Sequence, residues 1–243
     1  MKENIYDNDT FFEKYGQMTR SQKGLSGAGE WQYFQSLLPD FKGKRVLDLG
    51  CGYGWHCIYA MENGAASVVG IDISNKMLEV AKQKTPFPEV EYRNCAIEDI
   101  DFAEKSFDVI LSSLAFHYVE GYDALIQKLH MMLKPEGTLI FTVEHPIFTS
   151  EGSQNWVYNT EGEIQHFPVD NYYYEGKRDT VFLGEKVVKY HRTLTTYLNT
   201  LLLNGFVINH IIEPKPLENM LDSPGMLDEM RRPMMLIISA TKR

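Results

Sequence analysis

The residues with the clearest chemical pattern lie between positions 45 and 72. They are Asp48, Gly50, Cys51, Gly52 and Gly54 in RVLDLGCGYG, followed by Asp72 at the end of SVVGID. Alternating glycines let a backbone turn pass close beneath a ligand. A carboxylate at the end of the next apolar run can accept hydrogen bonds from both hydroxyls of a ribose. A dinucleotide fingerprint would read G-x-G-x-x-G, and its third glycine position is occupied here by Trp55. A pyrophosphate also prefers the bare N–H groups of a helix N-terminus, whereas a carboxylate at Asp48 suits an ammonium group. The pattern therefore points to a zwitterion joined to a ribose.

These residues need a βαβ unit to hold them. Val46, Leu47 and Leu49 predict a buried strand, residues 55–61 a short helix closed by Asn63 and Gly64, and residues 67–72 a second strand. Ser74 is the expected N-cap of a helix over 76–84, with Met77, Leu78 and Ala81 facing inward and Pro86 and Pro88 beyond its end. A strand over 90–94 and a turn over 95–98 follow. The nearly continuous apolar run 107–113 predicts a strand covered on both faces. Leu125, Leu129, Met132 and Leu133 define a helix over 123–133. Lys134, Pro135, Glu136 and Gly137 predict a tight turn into a strand over 138–144.

Together, the glycine turn, the two acids and the K-P-E-G turn resemble the class I S-adenosylmethionine-dependent methyltransferases of small-molecule type. The resemblance is firm over residues 40–145 and looser over the C-terminal strands. It implies an α/β fold: a Rossmann-like, seven-stranded, mostly parallel sheet flanked by helices, whose antiparallel last strand (234–240) inserts between strands five and six (206–213). It also implies S-adenosylmethionine as cofactor and S-adenosylhomocysteine as product. Carried over residue by residue, Asp48, Gly50, Cys51, Gly52 and Gly54 would form the methionine-side loop, and Asp72 would bind the ribose. Ile73 and Met77 would sandwich the adenine, and Ala96, Ile97 and Glu98 would border its edge. Ser112 and Leu114 would lie near the sulfonium. Many relatives have Asp where Ala96 stands, so adenine recognition here would rest on backbone N–H groups or Glu98.

Methyl transfer from a sulfonium depends mainly on alignment of donor and acceptor. A base is needed only where the acceptor must lose a proton. His145 and Glu144, at the carboxyl end of strand five, and His117, after strand four, stand at the edge where ligands bind in open α/β sheets. Histidine titrates near neutrality and can act as a base. His191 and Tyr172 complete the candidate catalytic set, and Arg178 or Arg192 would suit an acidic acceptor. Residues 146–192 are rich in aromatics, with turn signals at Glu161, Gly162, Gly184 and Glu185. They predict two short hairpins, a small antiparallel β insertion over the mouth of the site, where aromatics could box an amine or a ring.

The expected organisation is an N-terminal helical segment or lid (1–44), a core binding the cofactor (45–145), an aromatic cap (146–192) and the C-terminal part of the core sheet (193–243). Within 1–44, residues 30–38 predict a helix and the Gly/Ser-rich stretch before it a loop, with Tyr15, Met18 and Arg20 as lid candidates. A helix over 194–203 precedes strand six.

A net charge of −9 argues against a nucleic-acid substrate, and no apolar run is long enough to span a bilayer. The start MKENIYDNDT shows no signal-peptide pattern, and three cysteines without a C-x-x-C pair suggest a reducing, cytoplasmic setting and no metal site. A small-molecule acceptor, no nucleic acid or membrane partner, and a monomer or homodimer are the expectations. Two other functions fit the same unit: an NAD(P)-dependent oxidoreductase on a Rossmann fold, disfavoured by Trp55 and K-P-E-G, and a non-catalytic S-adenosylmethionine-binding partner protein.

Overall fold

A computed structural model describes residues 4–243. The expectation that residues 1–3 begin the N-terminal segment lies outside them. Eleven strands are present among the described residues: β1 (Arg45–Leu49), β2 (Ser67–Asp72), β3 (Val90–Asn94), β4 (Phe107–Ser113), β5 (Leu133–Glu144), β6 (Val157–Tyr158), β7 (Ile164–His166), β8 (Gly176–Phe182), β9 (Glu185–His191), β10 (Phe206–Ile212) and β11 (Met235–Lys242). Seven form one sheet in the order β10-β11-β5-β4-β1-β2-β3. Strands β5, β4, β1, β2 and β3 run parallel, and β11 is antiparallel to both β5 and β10. The last strand thus inserts between strands five and six, as expected from the resemblance.

The central strands carry apolar residues on both faces because helices cover both. Period-two alternation divides their side chains. Leu47, Leu49, Val69, Ile71 and Ile110 join a core with the helices Tyr122–Met132 and Leu194–Leu203. Val46, Val68, Val109 and Leu111 face the other way, toward Trp31–Ser36 and Trp55–Glu62. Ser74 caps Asn75–Lys84 by accepting the Met77 N–H at 3.1 Å.

Three local expectations change. The stretch before residue 30 is helical, with turns at Asp9–Gly16 and Thr19–Lys23, and the helix expected over 30–38 is confined to Trp31–Ser36. Contacts with the core, rather than local apolar periodicity, fix these helices: Phe11 is fully buried and Asn8 accepts the Phe11 N–H.

The K-P-E-G turn lies inside β5. Leu133 pairs with Phe107 and Thr138 with Val109, so residues 134–137 bulge opposite Asp108. Lys134 Nζ bonds both Asp108 carboxylate oxygens (2.9 and 2.8 Å), and a Cβ on Gly137 would crowd the Lys134 carbonyl at 2.8 Å.

The aromatic insertion forms two separate hairpins, β6-β7 and β8-β9. Its aromatic box is filled from within the chain. The Arg232 guanidinium lies 4.5 Å from the ring centroid of Phe148, 4.8 Å from Phe167 and 5.1 Å from Trp156, and it also pairs with Glu229.

Candidate active site

A cavity of about 250 Å³ opens at the carboxyl ends of the parallel strands. One end is built by the β1, β2 and β3 edges. Gly50 and Gly52 have φ of +74° and +51° and form its floor. A Cβ at Gly50 would overlap Ala115, so the turn requires glycine there. Asp72, Ile73, Met77, Ala96, Ile97 and Glu98 line the same end. Asp72 accepts the N–H of Gly52 and of Ser74, each at 2.9 Å. Burial pushes its carboxyl up to about 6, against these amide hydrogen bonds.

Three members of the glycine segment lie elsewhere. Asp48 points to the opposite face of β1, where it is 1% exposed and accepts a hydrogen bond from Cys57 Sγ at 3.3 Å. Burial raises its pKa to about 7. Asp48 is therefore behind the glycine turn and does not line the cavity, contrary to the expectation of a direct ammonium contact. Gly54 (φ +76°) also stands away from the cavity, since a Cβ there would overlap the Tyr92 hydroxyl. Its role is to let the turn pack against β3. Cys51 is buried beside a smaller neighbouring cleft.

The other end lies at the β4 and β5 edges. Two strands from β1, at about 4.8 Å per strand, it is roughly 10 Å along the sheet. Ser113, Leu114, Ala115, His117, Tyr118, Val119 and Glu144 line it, with Met234 and Met235 entering from β11 and Phe182 from the tip of the β8-β9 hairpin. Ser112 is excluded: strand alternation turns it inward, where it donates to the Leu49 carbonyl at 2.8 Å. Its neighbour Ser113 takes the cavity position.

The candidate catalytic residues separate in the same way. His117 lines the cavity and is 2% exposed. Its Nδ1 accepts the backbone N–H of Glu144 at 3.3 Å, and burial lowers its pKa to about 4. His145 is absent from the lining. Its Nδ1 accepts the Ile147 N–H, and its Nε2 lies 2.8 Å from Glu213 Oε1. It caps the short helix Pro146–Thr149. His191 is a fully buried pin, bonded to Thr149 Oγ1 (2.7 Å) and the Tyr172 carbonyl (2.9 Å). Tyr172 packs on His191, and its hydroxyl accepts the Leu194 N–H. Both hold the insertion to the core and stand outside the cavity. Arg178 donates to the carbonyls of Ser150, Asn171 and Tyr174, and Arg192 to those of Val119 and Glu120.

The N-terminal segment forms part of the cavity wall. Tyr6, Tyr15, Met18 and Arg20 line it, so all three lid candidates reach it. Asp7 accepts hydrogen bonds from Ser74 Oγ (2.6 Å) and the Lys76 N–H (3.2 Å), while Lys14 Nζ donates to the Leu183 carbonyl at 2.9 Å. Phe11 packs edge-on against Phe182. This strap ties the β2 edge to the β8-β9 hairpin. Arg20 forms two 2.8 Å hydrogen bonds to Glu30, which is 4% exposed.

Comparison with known proteins decides the family. The methyltransferase-domain family matches residues 47–141. A Listeria monocytogenes structure assigned to the S-adenosylmethionine-dependent methyltransferases is 55% identical, covering 90% of this chain and 99% of that one, with a TM-score of 0.87.

The chain belongs to the S-adenosylmethionine-dependent methyltransferases.

A methyltransferase from Mesorhizobium loti is 40% identical over 90% of this chain and 100% of its own, with a TM-score of 0.84. The malonyl-[acyl-carrier protein] O-methyltransferase of Enterobacter lignolyticus is 34% identical, but this methyltransferase covers only 46% of that protein's length. S-adenosylmethionine is accordingly the cofactor. Sequence patterns did not single out Tyr6, Tyr118, Met234 or Lys189, and offered Phe182 only as one aromatic of the insertion. They belong to separate strands and loops and meet only through the fold.

Proposed function

We propose that this methyltransferase acts in the cytoplasm on a small-molecule acceptor, at an O, N or C atom, held at the β4-β5 end of the cavity. The observation that carries this reading is enclosure. The N-terminal strap and the β8-β9 hairpin both contribute to the walls of the cavity, which suits a small guest better than a folded macromolecule.

The residues of the first end fit the cofactor. Asp72 spends one hydrogen bond per oxygen on the backbone, so each oxygen retains acceptor capacity for a ribose hydroxyl. Ile73 and Met77 offer apolar surfaces for the adenine, and residues 96–98 border its edge. Arg20 reaches both the cavity and the neighbouring cleft beside Gly50 and Gly52, placing a guanidinium where it can pair with the amino-acid carboxylate.

The bound cofactor supplies an electrophilic methyl group on a sulfonium, poised for in-line displacement. The protein's task is to align and dehydrate. Leu114, Val119, Phe182, Met234 and Met235 give the acceptor an apolar wall, and the strap excludes water from it. His117, accepting a backbone N–H on Nδ1 and with its pKa lowered, orients rather than abstracts a proton.

The test is a metabolite panel incubated with S-adenosylmethionine and followed by mass spectrometry for methylated products and S-adenosylhomocysteine. Accumulation of one methylated small molecule supports the reading. Methylation confined to protein or nucleic acid would overturn it.

A further inference from the structure

The acceptor end of the cavity contains two polar groups with fixed and opposite hydrogen-bond character. His117 accepts the Glu144 backbone N–H on Nδ1. A neutral imidazole carries one proton, so it resides on Nε2, which makes that atom a donor. The only hydrogen bond of His117 among the described residues runs through Nδ1. His117 also lines the cavity.

Glu144 is the complement. Its Oε1 lies 2.5 Å from Lys189 Nζ and its Oε2 accepts from Gln154 Nε2 at 2.6 Å. Lys189 is 3% exposed and is itself held by Gln154. Burial opposes ionisation of Glu144, but the charge of Lys189 and the hydrogen bonds of Lys189 and Gln154 favour the carboxylate, and its pKa is lowered. Glu144 lines the cavity and Lys189 does not. Each carboxylate oxygen can accept a further hydrogen bond.

Resting on the small-molecule reading above, we propose that His117 and Glu144 are the acceptor-recognition pair: His117 Nε2–H donates to the acceptor, Glu144 accepts from it, and the acceptor is an uncharged molecule with an N–H or O–H and a hydrogen-bond acceptor on an apolar frame. A carboxylate-bearing acceptor would face Glu144 with no cation of its own at this end. Its charge would be desolvated beside a like charge. Both residues act here by binding and orientation. Glu144, engaged by Lys189 and Gln154, is a weak base, so the acceptor atom must attack through a lone pair that needs no prior deprotonation. For an amine, the nitrogen lone pair forms the N–C bond as the S–C pair returns to sulfur, and the resulting ammonium releases its proton to solvent afterwards.

Benzamide and benzoate make a matched pair of probes: equal in shape, one neutral with donor and acceptor, the other anionic. Binding of each to the S-adenosylhomocysteine complex is measured by ligand-observed NMR, with the His117 ring nitrogens followed by ¹⁵N spectroscopy. Benzamide is expected to bind at least about tenfold more tightly than benzoate and to shift the Nε2 signal. His117→Leu should weaken benzamide by about tenfold, and His117→Gln, which retains an N–H donor, should restore most of it. Glu144→Gln should abolish the preference for benzamide. In all variants S-adenosylhomocysteine affinity should stay within about twofold, showing that the fold persists. Benzoate binding as well as benzamide, failure of both probes to bind the complex, or indifference to His117→Leu would overturn the proposal. Methylation confined to macromolecules would instead remove the small-molecule reading beneath it.

Discussion

The imidazole of His117 accepts the backbone N–H of Glu144 across 3.3 Å, joining the loop after β4 to the end of β5. Burial, helped by the charges of Lys189 and Arg192 and opposed by that of Glu144, holds the ring neutral and lowers its pKa to about 4. In the unfolded chain the same ring titrates near about 6.5. Between these values the unfolded state binds more protons, so the stability contributed by neutral His117 is complete above about pH 6.5 and declines as pH falls toward 4. Thermal melts of wild type and His117→Gln from pH 8 to pH 4.5 check this. The deficit of the variant should be largest at pH 8 and shrink on acidification; a deficit that does not change with pH would contradict it.

Asp48 gives the opposite slope. Burial behind the glycine turn raises its pKa to about 7, against about 3.9 in an unfolded chain. Its protonated form is the one the fold favours, so its contribution is complete below about pH 4 and lost as pH rises through 7. Asp48→Asn should therefore raise the melting temperature of the ligand-free protein more at pH 8 than at pH 5. An equal change at both pH values would show that the carboxyl ionises freely in the fold.

Gly54 is required by β3 rather than by the cavity. Gly54→Ala places a Cβ against the Tyr92 hydroxyl at a positive φ, and the left-handed backbone alone costs about 1–2 kcal/mol. Chemical denaturation should show a loss of about 2 kcal/mol or more, partly recovered by adding Tyr92→Phe. No recovery would mean that backbone strain, not the hydroxyl, dominates.

Local chemistry made much of this legible in advance. Ser74, the glycines and the apolar runs of β1, β2 and β4 each encode their structure within a few residues, and the turns near Gly162 and Gly184 marked both hairpins. One end of the cavity is built from such segments, which bring Asp72, Ile73, Met77 and residues 96–98 to its lining. The β4-β5 end depends on contacts between distant residues. Glu144 meets Lys189 from a different hairpin, and no local pattern links them. His191 read as a candidate base because a histidine beside a helix can face a pocket. Its partners Thr149 and Tyr172 instead make it a pin.

Arg232 fills the aromatic box that residue types alone offered to a ligand. Its guanidinium faces Phe148, Trp156 and Phe167 and pairs with Glu229, which is largely buried. Arg232→Met should destabilise the insertion by about 2–4 kcal/mol, combining lost cation–π contacts with an orphaned carboxylate. Hydrogen exchange should accelerate in residues 148–167 more than in β1 or β4. Uniform acceleration would argue for a global rather than a local role.

The most direct test of the site is calorimetric titration with S-adenosylhomocysteine. Wild type should bind one equivalent, and Asp72→Ala, which removes the ribose acceptor, should lose about tenfold or more in affinity while keeping a wild-type circular dichroism spectrum. Undiminished affinity in Asp72→Ala, or no binding by wild type at millimolar ligand, would contradict the account.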